Sequence, residues 1–214
     1  RMRWGRRRDE FLRPVQWLVL LLGDEVLPLS LYNLESGRIT RGHRFHHRAP
    51  VALENASSYE SSLLEAKVIA DFEVRQARIK SQVETLAKET GARAVIDPAL
   101  LSEVTGLVEW PAALMGSFDK KFLEVPAEAL ISSMKVHQKY FHLVDEEAQL
   151  LPNFITVANI ESTDPSQVIS GNERVIRPRL SDAAFFFETD KQTPLSSRLE
   201  RLEGVVFQQK LGTL

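Results

Sequence analysis

The stretch Gly-Asn-Glu-Arg-Val-Ile-Arg-Pro-Arg-Leu-Ser-Asp-Ala-Ala-Phe-Phe-Phe, residues 171–187, brings three arginines, one proline and three consecutive phenylalanines together. A proline disfavours helical geometry in the residue before it, so Arg177 is biased away from helix, while Pro178 can begin one. We therefore predict a kink or a fresh helix start at Pro178. Beyond it, apolar residues at helical spacing predict a packing face of Leu180, Ala183, Ala184 and Phe187. The stretch is expected to anchor a core behind its leading arginines.

The composition is that of a folded protein with balanced charge. The chain has 214 residues, of which 43% are hydrophobic, and its 27 Lys and Arg nearly balance 29 Asp and Glu. Nucleic-acid contact must therefore depend on local clusters of charge. The absence of cysteine excludes disulfides, thiol nucleophiles and thiolate metal sites, and fits a reducing compartment. The longest apolar run, residues 15–22, is shorter than the roughly 20 residues that span a bilayer, so no membrane contact is predicted.

The beginning of the chain is rich in arginine and also contains aromatic residues. Its members are Arg1, Arg3, Trp4, Arg6, Arg7, Arg8, Phe11 and Arg13. One interpretation is a phosphate-contacting arm, because guanidinium groups bind phosphate oxygens in a bidentate manner and Trp4 can stack on a base. The other is a solvated segment whose charges pair with acidic residues elsewhere. The sequence leaves both interpretations open.

Short β-rich runs follow the basic segment. Residues 15–22 and 26–31 flank Gly23-Asp24-Glu25, and this pattern predicts a β-hairpin. A third strand is predicted from Gly37 to Phe45. Later strands are predicted over residues 112–118, 141–144 and 154–158, the last two joined by an acidic turn.

Three histidines, His43, His46 and His47, lie near the end of the predicted third strand. Imidazole is a common metal ligand, but no Asp, Glu or Cys lies beside these residues to complete a coordination shell. Alternate residues of a strand also point to opposite faces. We therefore expect no metal site, and a polar face of histidines and arginines instead.

Capping residues predict helices between the strands. A capping box at Ser57 and Glu60 predicts a short helix to about Lys67. Asp71 and Gly91 bound a longer helix, whose predicted buried stripe is Phe72, Ile79, Val83 and Leu86.

Three later helices are predicted from proline at their first turn, after Asp97, Val125 and Thr193. The last has an apolar face of Leu195, Leu199, Leu202 and Val206. No low-complexity linker or internal repeat interrupts this order. We therefore expect an α+β fold, with a mixed, largely antiparallel sheet packed with helices, as a single domain over residues 1–214.

Common catalytic motifs are absent from the sequence. It has no Walker loop, no Gly-x-Gly-x-x-Gly turn and no Gly-x-Ser-x-Gly elbow. His137, between Lys135 and Lys139, is the best isolated candidate for proton transfer, but a polar residue at a helix end beside cations is the better explanation. No catalytic residue and no metal ligand is assigned.

Several ordered motifs carry a resemblance to a known family. They are Arg1 to Gly5, Arg41 to Phe45, Leu107 to Pro111, Phe122 to Leu130, Met134-Lys135, Gln138 to Phe141, Leu151 to Phe154, Val157 to Ser162, the opening stretch and Phe207 to Leu214. Together they resemble the beta subunit of bacterial glycyl-tRNA synthetase nearly from end to end. The least similar part is the segment from Gly91 to Ala99.

The resemblance implies an internal piece of the beta chain of an alpha-two beta-two enzyme. In that family the alpha subunit holds glycine and ATP, which the whole enzyme uses with magnesium, and the beta subunit supplies most contact with glycine tRNA. No cofactor is expected in this piece. The resemblance also implies a domain like B3/B4 of the phenylalanyl-tRNA synthetase beta chain, with an HD-like domain following after residue 214.

Five cations are expected to contact RNA phosphates on this basis, namely Lys135, Lys139, Arg174, Arg177 and Arg179. The alternative is that the arginines are structural, because Glu173 lies four residues before Arg177 and Asp182 lies three after Arg179.

Two other functions are weighed against RNA binding. A module that only binds protein, holding the alpha subunit or other beta domains, predicts an exposed apolar patch that includes some of Trp110, Phe185, Phe186 and Phe187, whereas RNA binding predicts those rings buried. An editing hydrolase predicts a cleft with His43 or His137 over the tRNA end. Editing is disfavoured, since a pocket for glycine excludes larger amino acids sterically.

Overall fold

A computed structural model of the chain describes residues 2–3, 10–11, 15–202, 204–208 and 212–213. Most of the arginine-rich beginning, including Trp4, lies outside the described residues, so the phosphate-contacting arm stays a prediction. No helix among the residues described is both long and apolar enough to cross a membrane.

The chain is divided into two compact units. The first consists of Arg1–Thr85, Ile96–Leu114 and Val157–Pro165, and the second of Leu86–Val95, Met115–Thr156 and Ser166–Leu214. That they belong to one domain stays a prediction.

The helices have the following bounds. They are α1 Tyr59–Glu65, α2 Phe72–Glu89, α3 Pro98–Leu107, α4 Ala127–Ser132, α5 Pro165–Lys191 and α6 Leu199–Leu202, with 3₁₀ turns at Ala56–Ser58, Lys120–Glu124 and Leu195–Arg198 and a π-turn at Ser133–His137. The strands are β1 Met2–Arg3, β2 Glu10–Phe11, β3 Leu18–Val19, β4 Leu21–Leu22, β5 Glu25–Val26, β6 Ser30–Leu31, β7 Leu34–Gly37, β8 Ile39–Arg41, β9 Pro50–Ala52, β10 Arg93–Ala94, β11 Ala112–Ser117, β12 Phe141–Val144, β13 Leu150–Ala158, β14 Val206–Gln208 and β15 Gly212–Thr213.

These elements confirm the α+β class. The strands form several small sheets rather than one, and the largest among the described residues has the order β10-β12-β13-β11. The β12-β13 pair is antiparallel, whereas β3 and β7 run parallel, with Leu18 opposite Ser36. The sheets are therefore mixed and largely antiparallel, as predicted.

The first predicted hairpin is present, but its strands are short. β4 and β5 pair with Leu21 opposite Val26, and Gly23 has a φ of +62°, which favours glycine in the tight turn. The predicted third strand is wrong beyond Arg41. The chain leaves β8 there, and residues 44–46 form a turn.

The helix caps of the first unit follow the sequence closely. The Asp71 carboxylate accepts from the Val74 N–H at 2.9 Å, and the Asp97 carboxylate accepts from the Leu100 N–H at 2.9 Å. The capping box is shifted, because Asn55 and Ser58 form it instead of Ser57 and Glu60.

The buried stripe of α2 also differs in part. Ile79, Val83 and Ala87 are fully buried at spacings of four residues. Phe72, which was predicted to belong to the stripe, is 41% exposed.

In the second unit, α5 packs on a core that contains Phe154 of β13. Its buried side chains are Ile176 and Leu180, and the core residues with them are Phe122, Val125, Leu130, Met134, Tyr140 and Phe154. Ala183, Ala184 and Phe187 are half-buried against this core, which confirms the predicted packing face.

Helix α5 continues through Pro178, so a fresh helix start there is wrong, while a kink stays a prediction. Pro178 has no N–H, and the carbonyl of Arg174 loses its usual helical donor. Both residues are exposed, so water can bond that carbonyl. The packing of Ile176 and Leu180 then keeps the helix continuous on its buried face.

The predicted helix after Thr193 is also wrong beyond Leu202. Its apolar residues Leu195, Leu199 and Leu202 are exposed, and Val206 begins β14.

We expect Gly116→Ala to destabilise the protein by about 1–3 kcal/mol, the range for overpacking a core. A Cβ atom at Gly116 would lie 2.5 Å from Cζ of Phe154. That ring is fully buried and stacks on Tyr140 with centroids 4.5 Å apart, so it has no room to retreat. Urea unfolding measures the difference.

The matched control is Gly171→Ala. A Cβ atom there meets nothing within 4 Å, and Gly171 lies in α5, where alanine favours helix by about 0.5–1 kcal/mol. Equal midpoints for the two variants would contradict the packing at β11.

Candidate nucleic-acid interface

Residues 41–48, Arg-Gly-His-Arg-Phe-His-His-Arg, form what we call the arginine loop. The loop begins with a close approach between two segments of backbone. A Cβ atom at Gly42 would lie 2.6 Å from both Cβ and the carbonyl oxygen of Ala66. The next N–H, that of His43, donates to this same carbonyl at 2.9 Å. Glycine is required at residue 42 because no side chain fits there.

The imidazole of His43 fixes the turn of the loop. Its Nδ1 accepts from the backbone N–H groups of Phe45 and His46, each at 3.3 Å. An accepting Nδ1 places the ring proton on Nε2, which therefore donates to the carbonyl of Asn159 at 2.7 Å. His43 is only 1% exposed, so its hydrogen bonds replace water at both nitrogens.

A second histidine ties the loop to the segment that follows β13. The N–H of Glu161 donates to Nε2 of His46 at 3.1 Å. The rings of His43 and His46 lie 4.6 Å apart between centroids. The amide oxygen of Asn159 accepts from the N–H groups of Glu109 and Trp110, at 2.8 and 3.0 Å. Asn159 therefore holds the arginine loop through its backbone and the chain after α3 through its side chain.

Among the described arginines of this unit, some donate to backbone carbonyls and others are exposed. Arg38 donates to the carbonyls of Asp24, Leu53 and Glu54, and Arg75 donates to those of Ile69, Ala70 and Thr105. These two guanidinium groups support the fold. Arg41, Arg44 and Arg48 are exposed instead, and the Arg41 guanidinium lies 5.9 Å from the centroid of the Trp17 ring.

A cavity of about 1040 Å³ opens beside the exposed arginines. Its lining includes Trp17, Arg41, Arg44, Phe45, Arg48 and Asn159. Residues 38–53 contain four arginines, three histidines and no acidic residue, and Glu109 is the acidic residue among those that line the cavity. Such a surface suits an anionic ligand, because cations that share a concave site reinforce one another.

The five predicted cations lie in the second unit, and three of them are on α5. Arg174, Arg177 and Arg179 are all exposed. At about 100° per residue, Arg174 and Arg177 are about 60° apart, whereas Arg179 is about 160° from Arg177. Arg177 and Arg179 therefore flank the buried stripe on opposite sides.

Arg177 borders a smaller cavity of about 520 Å³ that also includes Lys121, Asp119 and Glu173. Hydrogen bonds from the Lys121 backbone and side chain hold the pKa of Asp119 below its ordinary value, and the charge of Arg177 acts in the same direction. Glu173, suggested as the partner of Arg177, uses one oxygen to accept from the N–H and hydroxyl of Ser117, at 2.8 and 2.9 Å.

Lys135 and Lys139 are half-buried near the end of the π-turn, and His137 between them is exposed. Burial lowers the pKa of the neighbouring His142, and the charges of Lys135 and Arg93 lower it further. The structure thus places Lys135 close enough to His142 to act on it electrostatically.

The predicted aromatic rings are divided between core and surface. Trp110 is 7% exposed, with its Nε1 donating to Glu161 at 3.2 Å and with Lys67 and Arg78 over its ring. Phe185 and Phe186 are 66% and 62% exposed. Burial of Trp110 agrees with the expectation for RNA binding, and exposure of the two phenylalanines agrees with that for protein binding.

Of the two histidines weighed for editing, His43 is buried and His137 is exposed at the end of the π-turn. Both ring nitrogens of His43 are used within the protein, and the described residues contain no group of three or more His, Asp or Glu side chains that could hold a metal ion.

Comparison with known proteins decides the family. A model described as glycyl-tRNA synthetase beta subunit matches residues 1–214. The chain belongs to the glycyl-tRNA synthetase beta subunit family. It is 60% identical over 215 residues to the glycine-tRNA ligase beta subunit of Hahella chejuensis, 60% over 213 residues to that of Chromohalobacter salexigens and 53% over 214 residues to that of Pseudomonas putida. Each comparison covers the whole of this chain and 31% of the relative.

Within this family member, the arginine loop is the candidate site that sequence reasoning undervalued. Its histidines were assigned to a strand, in which successive side chains point to opposite faces, so a shared role for His43 and His46 was not expected. The usable signal was the acid-free run of residues 38–53 together with Gly42, since a glycine inside a predicted strand indicates a bulge or a close backbone approach.

We expect the stability of the protein to fall more steeply between pH 7 and pH 5 with His142 than with Gln at this position. The pKa of His142 is lowered in the folded state, so below its ordinary value of about 6.5 the unfolded chain binds the proton more readily. Its contribution is present above that pH and is lost as the pH falls through the folded pKa. Urea midpoints of both proteins across this range measure the difference.

Lys135→Met is the control, because removing that charge raises the pKa of His142 in the folded state. The pH range over which protonation of His142 destabilises the protein then becomes narrower. Parallel pH profiles of the urea midpoint for the wild type and His142→Gln would contradict the lowered pKa of His142 in the folded state.

Proposed function

We propose that this chain serves glycyl-tRNA synthesis as part of a beta subunit, to which it contributes tRNA binding and subunit scaffolding. Family membership supports the reaction, and the arginine loop supports the contact with RNA. Phosphate contacts dominate affinity for RNA, and guanidinium groups match phosphate oxygens in geometry and charge. The proposed contacts are Arg41, Arg44 and Arg48 in the first unit and Lys135, Lys139, Arg174, Arg177 and Arg179 in the second.

The arginine loop carries the proposal because its exposed cations stand on a fixed backbone. Gly42, His43 and His46 hold the loop through hydrogen bonds and close packing. A rigid cationic surface loses less conformational entropy when it binds than a mobile one. The exposed Arg198, by contrast, pairs with Asp190 at 3.3 Å.

The remaining chemistry is assigned to other parts of the enzyme. We propose that an alpha subunit binds glycine, ATP and magnesium, and that it forms an alpha-two beta-two heterotetramer with the beta subunit in the cytoplasm. The relatives' name, beta subunit of a tRNA ligase, supports such a partner. The sequence of this chain has no Walker loop, which accords with ATP binding elsewhere.

We also propose that the fold corresponds to the B3/B4 domain of the phenylalanyl-tRNA synthetase beta chain. Its small, largely antiparallel sheets packed with helices are in keeping with that domain.

A second candidate function rests on Phe185 and Phe186. These exposed rings contact each other edge to face, with centroids 5.6 Å apart. Phe186 is two helical turns from Arg179 and shares its side of α5. Exposed neighbouring aromatic rings beside a cation are typical of protein-binding surfaces, so this side of α5 suits the alpha subunit.

For RNA binding, we expect the double variant Arg44→Ala/Arg48→Ala to weaken tRNA binding by the intact beta subunit. The salt dependence should also change, with the slope of log K against log salt falling by about 1 for each lost phosphate contact. Arg174→Ala/Arg177→Ala tests the predicted surface on α5 in the same way. Filter binding of glycine tRNA at several salt concentrations measures both.

The control is Lys80→Ala/Lys88→Ala, which removes the same charge from the exposed side of α2. Slopes and affinities equal to those of the wild type in both arginine variants would reject RNA binding by this chain.

For protein binding, we expect Phe185→Ser/Phe186→Ser to weaken association with the alpha subunit without lowering the unfolding midpoint, because both rings are exposed. Phe72→Ser, an exposed phenylalanine on α2, is the control. Sedimentation of mixed subunits measures the association, and unchanged assembly would exclude this candidate.

A further inference from the structure

We infer that the cavity beside the arginine loop takes single-stranded RNA, with an unpaired base stacked on Phe45 and the adjoining phosphates on Arg44 and Arg48. The inference rests on the proposed RNA role of the loop and names the form of RNA that the cavity accepts.

The position of Phe45 is the first reason. Its ring is 61% exposed, whereas the nearby His43 is 1% exposed and His46 is half-buried. The His43 ring lies 6.1 Å away at a tilt of 51°, so it contacts Phe45 without covering it as a parallel stack would. An exposed ring next to arginines on a held backbone is the arrangement that stacks nucleobases.

The spacing of cations around the ring is the second reason. Arg44 precedes Phe45 and Arg48 follows it by three residues, and all three line the same cavity. Each nucleotide of a single strand carries one base and one phosphate, so an aromatic residue flanked in sequence by two arginines of the same cavity suits this ligand. Trp17, the one tryptophan in the lining, already lies beside the guanidinium of Arg41.

The shape of the site is the third reason. The cavity of about 1040 Å³ is at the upper end of ligand pockets, which run to about 1000 Å³. A concave site can enclose a splayed base, whereas RNA duplexes are recognised across their wide, shallow minor groove through backbone and 2′-hydroxyl contacts. A duplex cannot place a base on Phe45 unless that base leaves the helix.

Polar groups within the lining can add contacts to the base. The carboxylate of Glu109 can accept from an exocyclic amino group, and Arg41 can donate to a base carbonyl. The backbone of Glu109 is fixed by Asn159, so its side chain starts from a defined position.

The test compares a fluorescent oligouridine octamer with a blunt-ended RNA duplex, each bound to the intact beta subunit and followed by anisotropy. We expect Phe45→Ala to weaken octamer binding by about 5- to 150-fold, the range for one stacked base, and to leave the salt slope unchanged because stacking releases no counterions. Phe45→Trp should restore binding. Duplex binding should be the same in all three proteins.

Two further measurements make each outcome decisive. A 4-thiouridine octamer should crosslink to the peptide that contains Phe45, which excludes stacking at another site on the beta subunit. Uridine monophosphate should compete only at concentrations far above those of the octamer. If it competes as well as the octamer does, the cavity binds a free nucleotide, and the assignment to RNA is wrong.

The proposed function and this inference fail separately. If Arg44→Ala/Arg48→Ala weakens tRNA binding but Phe45→Ala leaves octamer binding unchanged, the loop binds RNA phosphates and the single-strand inference is wrong. If Phe45→Ala weakens octamer binding while tRNA binding is insensitive to the arginines, the cavity binds single strands and its proposed role in tRNA binding is wrong. Equal unfolding midpoints show that the exposed substitutions leave the fold intact.

Discussion

The hydrogen bond from His43 to the carbonyl of Asn159 is the interaction on which the candidate interface depends. It joins the middle of the arginine loop to a segment 116 residues later in the chain. At its other nitrogen, the same ring accepts two N–H groups that the tight turn cannot satisfy within its own backbone. Burying such groups without partners costs about 1–3 kcal/mol each. The His43 ring therefore stabilises the turn, because its two nitrogens provide hydrogen bonds to the turn and to Asn159 at the same time.

Asn159 extends this constraint beyond the loop. Its side chain holds the backbone of Glu109 and Trp110, and the Trp110 ring in turn bonds to Glu161. Three segments that are distant in sequence therefore share one set of hydrogen bonds. The exposed side chains of Arg44, Phe45 and Arg48, which we propose as binding groups, take no part in this set. The division between buried polar anchors and exposed cations is how an almost neutral chain presents a local positive surface.

The sequence predicts local features of the fold better than distant ones. Asp71 and Asp97 begin their helices as expected, because a cap depends on residues within one turn. The continuous α5 was missed because the local bias of Pro178 is overridden by packing of Ile176 and Leu180. The role of His43 was missed because its partner, Asn159, is brought near only by the tertiary fold.

The two candidate surfaces for RNA differ in how the local backbone directs their arginines. On α5, helical geometry alone fixes the directions of the arginines, and it sends Arg177 and Arg179 to opposite sides of the buried stripe. A single phosphate backbone cannot follow both sides without wrapping around the helix. On the arginine loop, the turn at residues 44–46 keeps Arg44 and Arg48 on the rim of one cavity with Phe45 between them in sequence. Charges that converge on one concave site give more affinity per cation than charges that diverge, so the loop is the stronger candidate for contact with RNA.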